Sequence, residues 1–331
     1  MKEHLQITAV FAVLLMIIPC MVFLSAQQRE KKAEENPSSQ QEENSHEDEQ
    51  QTVRYYLTKQ DKTLELSMEE YVTGAVLAQM PADFEPSALQ AQAVLARTYA
   101  LYRRKAEKLK PTPELKGADM SDDTSLYQGY FSPEKAKELY KDDYETAQKR
   151  VLQAVKESGA KHLEYNSEPI MIAFHAVSDG HTRSAKQVWG EEIPYLVSVE
   201  SEQDTKLEVC TNEFKITAQQ FKEKLGKKHS ELNFEGAPQQ WLVVSQKDEF
   251  GSVTSVSVCS KQLSGEEFCG LLGLSSQSFS FTADDSGFTF TCKGIGHLVG
   301  MSQHGANEMA KQGSTCEEIL SHYFKGTTVC E

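Results

Sequence analysis

The stretch AVLAQMPADFEPSALQAQAVLARTYAL, residues 75–101, predicts two helices separated by a proline break. Apolar residues recur at helical spacing from Met68 to Gln79, and Pro81 ends this pattern because proline lacks an N–H group and clashes with the preceding turn. Pro86 lies where a first-turn proline belongs, and a long amphipathic pattern follows it. The sequence therefore predicts that Gln79 lies at a helix end and faces a neighbouring helix.

Helical and strand patterns occupy separate parts of the chain. Ser132 is a natural N-cap for a helical region that continues to residue 158. Strand patterns then take over, beginning with a hairpin over residues 162–177 whose second strand covers residues 170–175. Helical patterns return over residues 300–312 and 315–324. Helices first, strands next and helices last predict an α+β fold rather than repeated βαβ units.

The net charge of −15 argues against a nucleic-acid partner, because a polyanion would be repelled. Residues 7–26 form an uncharged stretch of about the length needed to cross a bilayer. A membrane anchor and a signal peptide both fit. The long apolar run and the incomplete cleavage signature favour an anchor over residues 1–26. We therefore expect a single-pass protein of the cell membrane with its body outside the cytoplasm.

Residues 27–52 predict a disordered acidic linker. Residues 27–50 hold three Lys or Arg against eight Asp or Glu, and they contain no aromatic or branched aliphatic side chain that could offset the entropy of ordering. The globular domain is then expected over residues 53–331. Six cysteines lie in its second half. Their number is compatible with three disulfides and equally with six buried thiols. No C-x-x-C spacing occurs, so a cysteine zinc site is not expected.

Three motifs in a fixed order resemble the stage II sporulation protein D family and the related amidase-enhancer domains of bacterial cell-wall machinery. They are MP…ALQAQAVLARTYA, FHAVSDGHTRSAKQVWGEEIPYLVSVES and GIGHLVGMSQHGANEMAKQG. The resemblance implies a sporulation protein of the septal space that remodels peptidoglycan during engulfment. It implies a cleft that binds glycan strands, a partner wall amidase or sporulation membrane protein, and no cofactor.

The resemblance also implies a lytic transglycosylase acting on glycan strands stripped of peptides. This reaction needs one carboxylic acid that protonates the leaving oxygen and then accepts a proton, and in the family it is the glutamate before Met-Pro. Gln79 stands at that position here, and an amide cannot ionise near neutral pH. Two hypotheses remain. The domain is a non-catalytic glycan-binding scaffold or amidase enhancer, or a carboxylate such as Glu85, Asp83 or Glu70 replaces the family acid.

The second and third motifs supply the candidate substrate-binding residues. Their hydroxyl, imidazole and amide groups suit sugar hydroxyls and acetamido groups. The candidates are His175, Ser178, His297, Ser302, Gln303 and His304. A satisfied histidine at a strand end is the alternative for His175, and helix capping is the alternative for Gln303. Trp189 is interpreted either as a core residue or as a platform for stacking a sugar.

Two departures from the family pattern affect these expectations. Asp179 stands in place of the first glycine of a Ser-Gly-Gly sequence. Relatives often carry cysteines and a histidine near residues 118–130 that hold zinc, whereas this chain has Ser121, Ser125 and Tyr127 there. Serine hydroxyls and phenols are poor zinc ligands at neutral pH, so we expect no metal site in this segment.

Overall fold

The computed structural model describes residues 52–331. The anchor predicted over residues 1–26 lies outside the described residues, as does the linker predicted over residues 27–52 except for its last residue. Within residues 52–331, no helix is both long and apolar enough to cross a bilayer. This part of the chain forms two compact units. The first comprises residues 52–173, 193–196 and 306–331, and the second comprises residues 174–192 and 197–305.

Helices and short strands alternate irregularly along the chain, which confirms the predicted α+β class. The helices are α1 (Met68–Gln79), α2 (Pro86–Leu109), α3 (Pro133–Tyr140), α4 (Tyr144–Glu157), α5 (Ala185–Trp189), α6 (Ala218–Gly226), α7 (Gly265–Leu272), α8 (Gln303–Lys311) and α9 (Cys316–Tyr323). The strands are β1 (Thr52–Leu57), β2 (Lys62–Ser67), β3 (Met120–Ser121), β4 (His162–Tyr165), β5 (Glu168–Pro169), β6 (Phe174–His175), β7 (Thr211–Thr217), β8 (Leu242–Lys247), β9 (Val253–Val258), β10 (Lys261–Ser264), β11 (Phe279–Asp284), β12 (Gly287–Lys293), β13 (Met301–Ser302) and β14 (Thr328–Cys330).

The first unit is mainly helical, and its helices begin and end where local chemistry requires. Ser67 caps α1 through a capping box with Glu70, in which each side chain accepts the other residue's backbone N–H. Pro86 occupies the first turn of α2, as predicted. The helical region predicted from Ser132 to residue 158 is confirmed, and it is divided into α3 and α4 at Lys141, which adopts a φ of 50°.

Two small sheets complete the first unit. In one, β1 lies between antiparallel β2 and parallel β3. In the other, β4 lies between β14 and β5, and both neighbours are antiparallel to it. Asn166 and Ser167, both at positive φ, turn the chain between β4 and β5. The strand predicted over residues 170–175 is shorter than expected, since β5 ends at Pro169 and β6 comprises only Phe174 and His175.

The second unit holds most of the strands. Its motif segments meet where β6 pairs in parallel with β13, placing Phe174 opposite Met301 and His175 opposite Ser302. This pairing shortens the helix predicted over residues 300–312: Gly300 has a φ of 71°, Met301 and Ser302 are extended, and α8 begins only at Gln303.

Residues 211–293 form an insert with its own aromatic core. Two three-stranded antiparallel sheets, β10-β9-β8 and β11-β12-β7, enclose it together with α6 and α7. The rings of Phe221 and Phe288 stack with centroids 4.2 Å apart near the middle of this core. A turn over residues 248–252 joins β8 to β9, and it reaches the motif segment described below.

Candidate functional site

Gln79 is the last residue of α1, and its buried carboxamide is hydrogen-bonded at both of its polar atoms. Its Oε1 accepts from Nε2 of Gln92 on α2 at 2.9 Å. Its Nε2 donates to the Gly129 carbonyl at 2.9 Å, with Oε1 of Gln128 as a second acceptor at 3.4 Å. The predicted position, at a helix end facing a neighbouring helix, is therefore confirmed.

The loop that supplies the Gly129 carbonyl is held by its own contacts. The Tyr130 ring packs so closely on α1 that a Cβ on Gly74 would lie 2.3 Å from Tyr130 Cε2. The Tyr99 hydroxyl accepts the Gln128 N–H at 3.3 Å. The fixed carbonyl requires a hydrogen-bond donor opposite it. An amide N–H or the O–H of a neutral carboxylic acid meets this requirement, and an ionised carboxylate does not.

The three carboxylates considered as substitutes for the family acid differ in placement. Glu70 precedes Gln79 by nine residues on the same helix, which separates them by about 13 Å along the axis. Glu70 is also engaged at the helix N-cap, and these hydrogen bonds lower its pKa. Asp83 is exposed, and Glu85 is the N-cap residue of α2, where its N–H donates to Oδ1 of Asn307 at 2.7 Å. Glu70 is thus held near the opposite end of α1 from Gln79, and the role of all three carboxylates stays a prediction.

His175 and His297 form a pair in the second unit, with ring centroids 6.0 Å apart. Nδ1 of buried His175 faces the Val299 carbonyl at 3.2 Å, so the neutral ring carries its proton there. Its Nε2 is buried and has no hydrogen-bond partner among residues 52–331. His297 shows the opposite tautomer, because its Nδ1 accepts the Val299 N–H at 3.0 Å.

Both imidazoles are neutral at physiological pH. Burial and, to a smaller extent, the neighbouring His297 ring lower the pKa of His175 to about 3. Burial likewise lowers the pKa of His297 to about 4. A cationic imidazolium is therefore nearly absent at pH 7. Neither ring is therefore an acid near neutral pH.

Close packing fixes the turn that carries His297. Gly296 has a φ of 107°, and a Cβ there would lie 2.9 Å from the Cβ of His175. Glycine is thus required both for the backbone conformation and for the approach of the two segments. Half-buried Trp189, at the end of α5, lies against the other side of His297 with ring centroids 5.6 Å apart. The predicted core and stacking roles of Trp189 both remain compatible with this placement.

Ser178 and Ser302 are joined by Asp204, which sequence reasoning missed. Oδ2 of Asp204 accepts the Ser178 N–H at 2.8 Å and the Ser302 hydroxyl at 2.6 Å. It also accepts the Ser201 hydroxyl at 3.1 Å. A signal was available in the sequence, because Ser201 and Asp204 have the S-x-x-D spacing of a helix start, and a 3₁₀ turn begins at Glu202.

Asp179 pairs with Arg183, which accounts for its replacement of glycine. The guanidinium donates to Asp179 through Nη1 at 3.1 Å and Nη2 at 2.7 Å. Its Nε donates to Oδ2 of Asp248 at 2.9 Å, and Nη2 also bonds the Ser252 hydroxyl at 2.7 Å. Arg183 therefore fastens the second motif to the β8–β9 turn of the insert. A cavity of about 20 Å³ lies beside this network and is lined in part by His297.

The remaining candidates lie at the start of α8. Gln303 is buried, and His304 is half-buried with its N–H donating to the Ala176 carbonyl at 3.0 Å. The Ser302 hydroxyl accepts the Gly305 N–H at 3.1 Å, which makes Ser302 the capping side chain. The binding and capping roles considered for Gln303 both stay predictions.

The segment over residues 118–130 uses its carboxylates for local structure. Asp122 accepts hydrogen bonds from the Thr58 N–H and hydroxyl, and Asp123 accepts from Ser125. Within residues 52–331, no group of three His, Cys, Asp or Glu side chains is arranged to hold a metal ion. The six cysteines of this part of the chain are all unbridged, so it shows the thiol alternative.

Comparison of the sequence with known proteins shows the family of this chain. The chain is 34% identical over 280 residues to stage II sporulation protein D of Bacillus subtilis, covering 85% of this chain and 79% of that protein. The chain belongs to the stage II sporulation protein D family. The family profile described as stage II sporulation protein matches residues 56–165. Stage II sporulation protein D of Bacillus amyloliquefaciens is also 34% identical, over 85% of this chain and 79% of its own length.

A more distant relative has a different name. The amidase enhancer of Bacillus subtilis is 24% identical over 308 residues, which cover 77% of this chain and 40% of the enhancer. Together the matches establish a sporulation protein of the stage II sporulation protein D family with a relation to the cell wall.

The candidate residues fall into two local groups. Gln79 and Glu85 belong to the first unit. The second unit brings together His175 with His297, and Ser178 with Ser302, and it also contains Gln303 and His304. His175, Ser178 and Ser302 are fully buried, whereas His297 and His304 have exposed surface.

Proposed function

We propose that this protein binds denuded peptidoglycan strands in the septal space during engulfment and cleaves them, at most, far more slowly than a relative with glutamate before Met-Pro. The observation that carries the proposal is the environment of Gln79, in which both polar atoms of the amide are engaged with neutral partners. Loss of a general acid typically costs about 10²–10⁴ in rate. The protein is thus a sporulation protein that retains glycan recognition and has lost most of the lytic transglycosylase reaction.

The partly exposed members of the second unit are proposed to touch the glycan. His297 has an imidazole edge beside Trp189, and His304 lies in the first turn of α8. Neutral imidazoles and an indole face suit a sugar chain, which presents hydroxyls and weakly polar ring faces. His175, Ser178 and Ser302 support these side chains from behind, and Gln303 anchors the first turn of α8.

We further propose that residues 1–26 anchor the protein in the cell membrane and that residues 27–52 tether the domain to it. Residues 7–26 carry no charge over a length that fits a bilayer core of about 30 Å. Such an arrangement would keep the domain at the septal wall beside membrane proteins of sporulation.

A second function follows from the distant relative's name. We propose that the bound protein presents glycan to a partner wall amidase, because a relative covering 77% of this chain is called an amidase enhancer. Enhancement of this kind needs binding and no proton donor, so the amide at position 79 would not impair it. Adding the full chain to a wall amidase should then raise the release of stem peptides from intact wall, whereas His297→Ala should raise it less.

Co-sedimentation tests the leading proposal. The full chain, purified in mild detergent, is spun with insoluble denuded glycan, and the soluble fraction is analysed for 1,6-anhydro products. We expect the protein in the pellet and few products. His297→Ala should release protein to the supernatant, while His322→Ala, a histidine change on α9, should not. Wild-type protein that stays in the supernatant would refute glycan binding.

A further inference from the structure

Asp204 is a buried carboxylate that joins segments far apart in the sequence. Its Oδ2 takes donors from the second motif through Ser178 and from the third motif through Ser302, at 2.8 and 2.6 Å. The second contact spans 98 residues of sequence. The carboxylate therefore lies where the two motif segments are brought into register.

The contact with Ser302 sets the start of α8. Because the Ser302 hydroxyl donates its proton to Asp204, its oxygen lone pairs face the helix, and one accepts the Gly305 N–H at 3.1 Å. The first turn of α8 carries His304, whose N–H is held by the Ala176 carbonyl at 3.0 Å. Asp204 thus fixes both the orientation of a capping hydroxyl and the helix end that presents His304.

The contact with Ser178 reaches the turn that carries His297. Val177, the preceding residue, exchanges hydrogen bonds with Ile295: its carbonyl accepts at 2.7 Å and its N–H donates at 3.3 Å. Ile295 lies two residues before His297, and the intervening glycine allows no side chain. A shift of Ser178 would therefore move the imidazole of His297.

The buried carboxyl of Asp204 lowers the stability of the fold unless its hydrogen bonds compensate for the burial. Oδ1 of Asp204 is buried without a hydrogen-bond partner among residues 52–331, and burial raises the pKa of the carboxyl. A buried carboxyl oxygen without a partner costs free energy that the other contacts of the group must offset. Three strong hydrogen bonds to the other oxygen are what the charge supplies here.

We propose that Asp204 is a positioning residue, which holds His297 and His304 in the arrangement that binds the glycan strand. This inference rests on the proposed function, since it names the residue that organises the same site. It also makes a separate claim about the structure, namely that the two histidine segments move together when the carboxylate is removed.

The test is Asp204→Asn in the full chain, with Asp284→Asn as a control that removes an exposed turn carboxylate of the insert. Two quantities are measured: affinity for denuded glycan and amide hydrogen exchange. We expect Asp204→Asn to fold, to bind about tenfold more weakly, and to exchange faster at Ser178, His297 and Gly305. The control should match wild type in both. Unchanged binding and unchanged exchange in a folded Asp204→Asn protein would overturn the inference.

The two claims fail separately. If wild-type protein binds no glycan, the proposed function fails, and hydrogen exchange still decides whether Asp204 positions the histidine segments. If Asp204→Asn does not fold, Ser302→Ala decides the question, because it breaks the link to α8 and leaves the link to Ser178. Exchange should then rise at His304 and not at His297. An equal rise in the exchange rate at His304 and His297 would contradict the role of Asp204.

Discussion

Gln79→Glu introduces the acid that the proposed function lacks, in a site whose hydrogen bonds favour the neutral form. In the wild type, the carboxamide accepts from Gln92 and donates to the Gly129 carbonyl, each at 2.9 Å. A protonated carboxyl reproduces both bonds. An ionised one loses the second bond and places an oxygen against the carbonyl. An unsatisfied buried polar group costs about 1–3 kcal/mol, which corresponds to a rise of about one to two units in the pKa of the introduced carboxyl.

This rise has consequences for activity and stability. The introduced acid would be partly protonated near neutral pH, as a proton donor must be, and cleavage should increase by about 10²–10⁴ over wild type. Since its pKa is raised in the folded state, the variant should be most stable below the ordinary glutamate pKa. Relative to wild type, it should lose stability as the pH rises from about 4 to about 7.

The assay counts 1,6-anhydro ends released from denuded glycan strands by chromatography and mass spectrometry. Thermal unfolding at several pH values accompanies it. Gln60→Glu, the same chemical change at an exposed turn, is the matched control and should resemble wild type in both measurements. A folded Gln79→Glu protein that binds glycan and yields no more anhydro ends than wild type would refute the placement of the catalytic position.

Three further predictions concern packing, protonation and thiols. Gly74→Ala should destabilise the protein by about 1–3 kcal/mol in urea unfolding, because its Cβ would meet the Tyr130 ring at 2.3 Å. Gly270→Ala, in an open helical position, should not destabilise it; equal losses would contradict the packing. NMR titration should show His297 neutral at pH 6, with stability falling as the pH drops from about 6.5 towards 4; a cationic ring at pH 6 would contradict this. Cys316, whose pKa is raised to about 12 by burial, should react with a thiol reagent at pH 8 only after unfolding; rapid labelling of the native protein would oppose it.

Proline positions and the spacing of apolar residues allowed part of the fold to be predicted. Pro81, Pro86 and the apolar spacing around them were sufficient for α1 and α2, because proline acts on the adjacent turn alone. The division of residues 132–158 into two helices was missed, because it depends on a positive φ at Lys141 that a lysine seldom adopts. The late start of α8 was missed for a different reason. Ser302 is extended because it pairs with β6, more than 120 residues away.

The sequence allowed prediction of those candidate residues that belong to a family motif. Gln79 and His297 were found through the family pattern, and the structure adds the partners of each. Asp204 was not found, because its S-x-x-D spacing with Ser201 indicates only a helix start, and its contacts to Ser178 and Ser302 arise only in the folded chain. The tautomers of His175 and His297 were equally inaccessible, since both are set by the backbone of Val299.

The most direct test of the central claim is the rate at which the wild-type full chain produces 1,6-anhydro ends from denuded glycan that it has bound. An amide in the proton donor's position predicts a rate close to that of glycan incubated with buffer. Rapid accumulation of anhydro ends by wild-type protein, at a rate that Gln79→Glu does not exceed, would contradict the account.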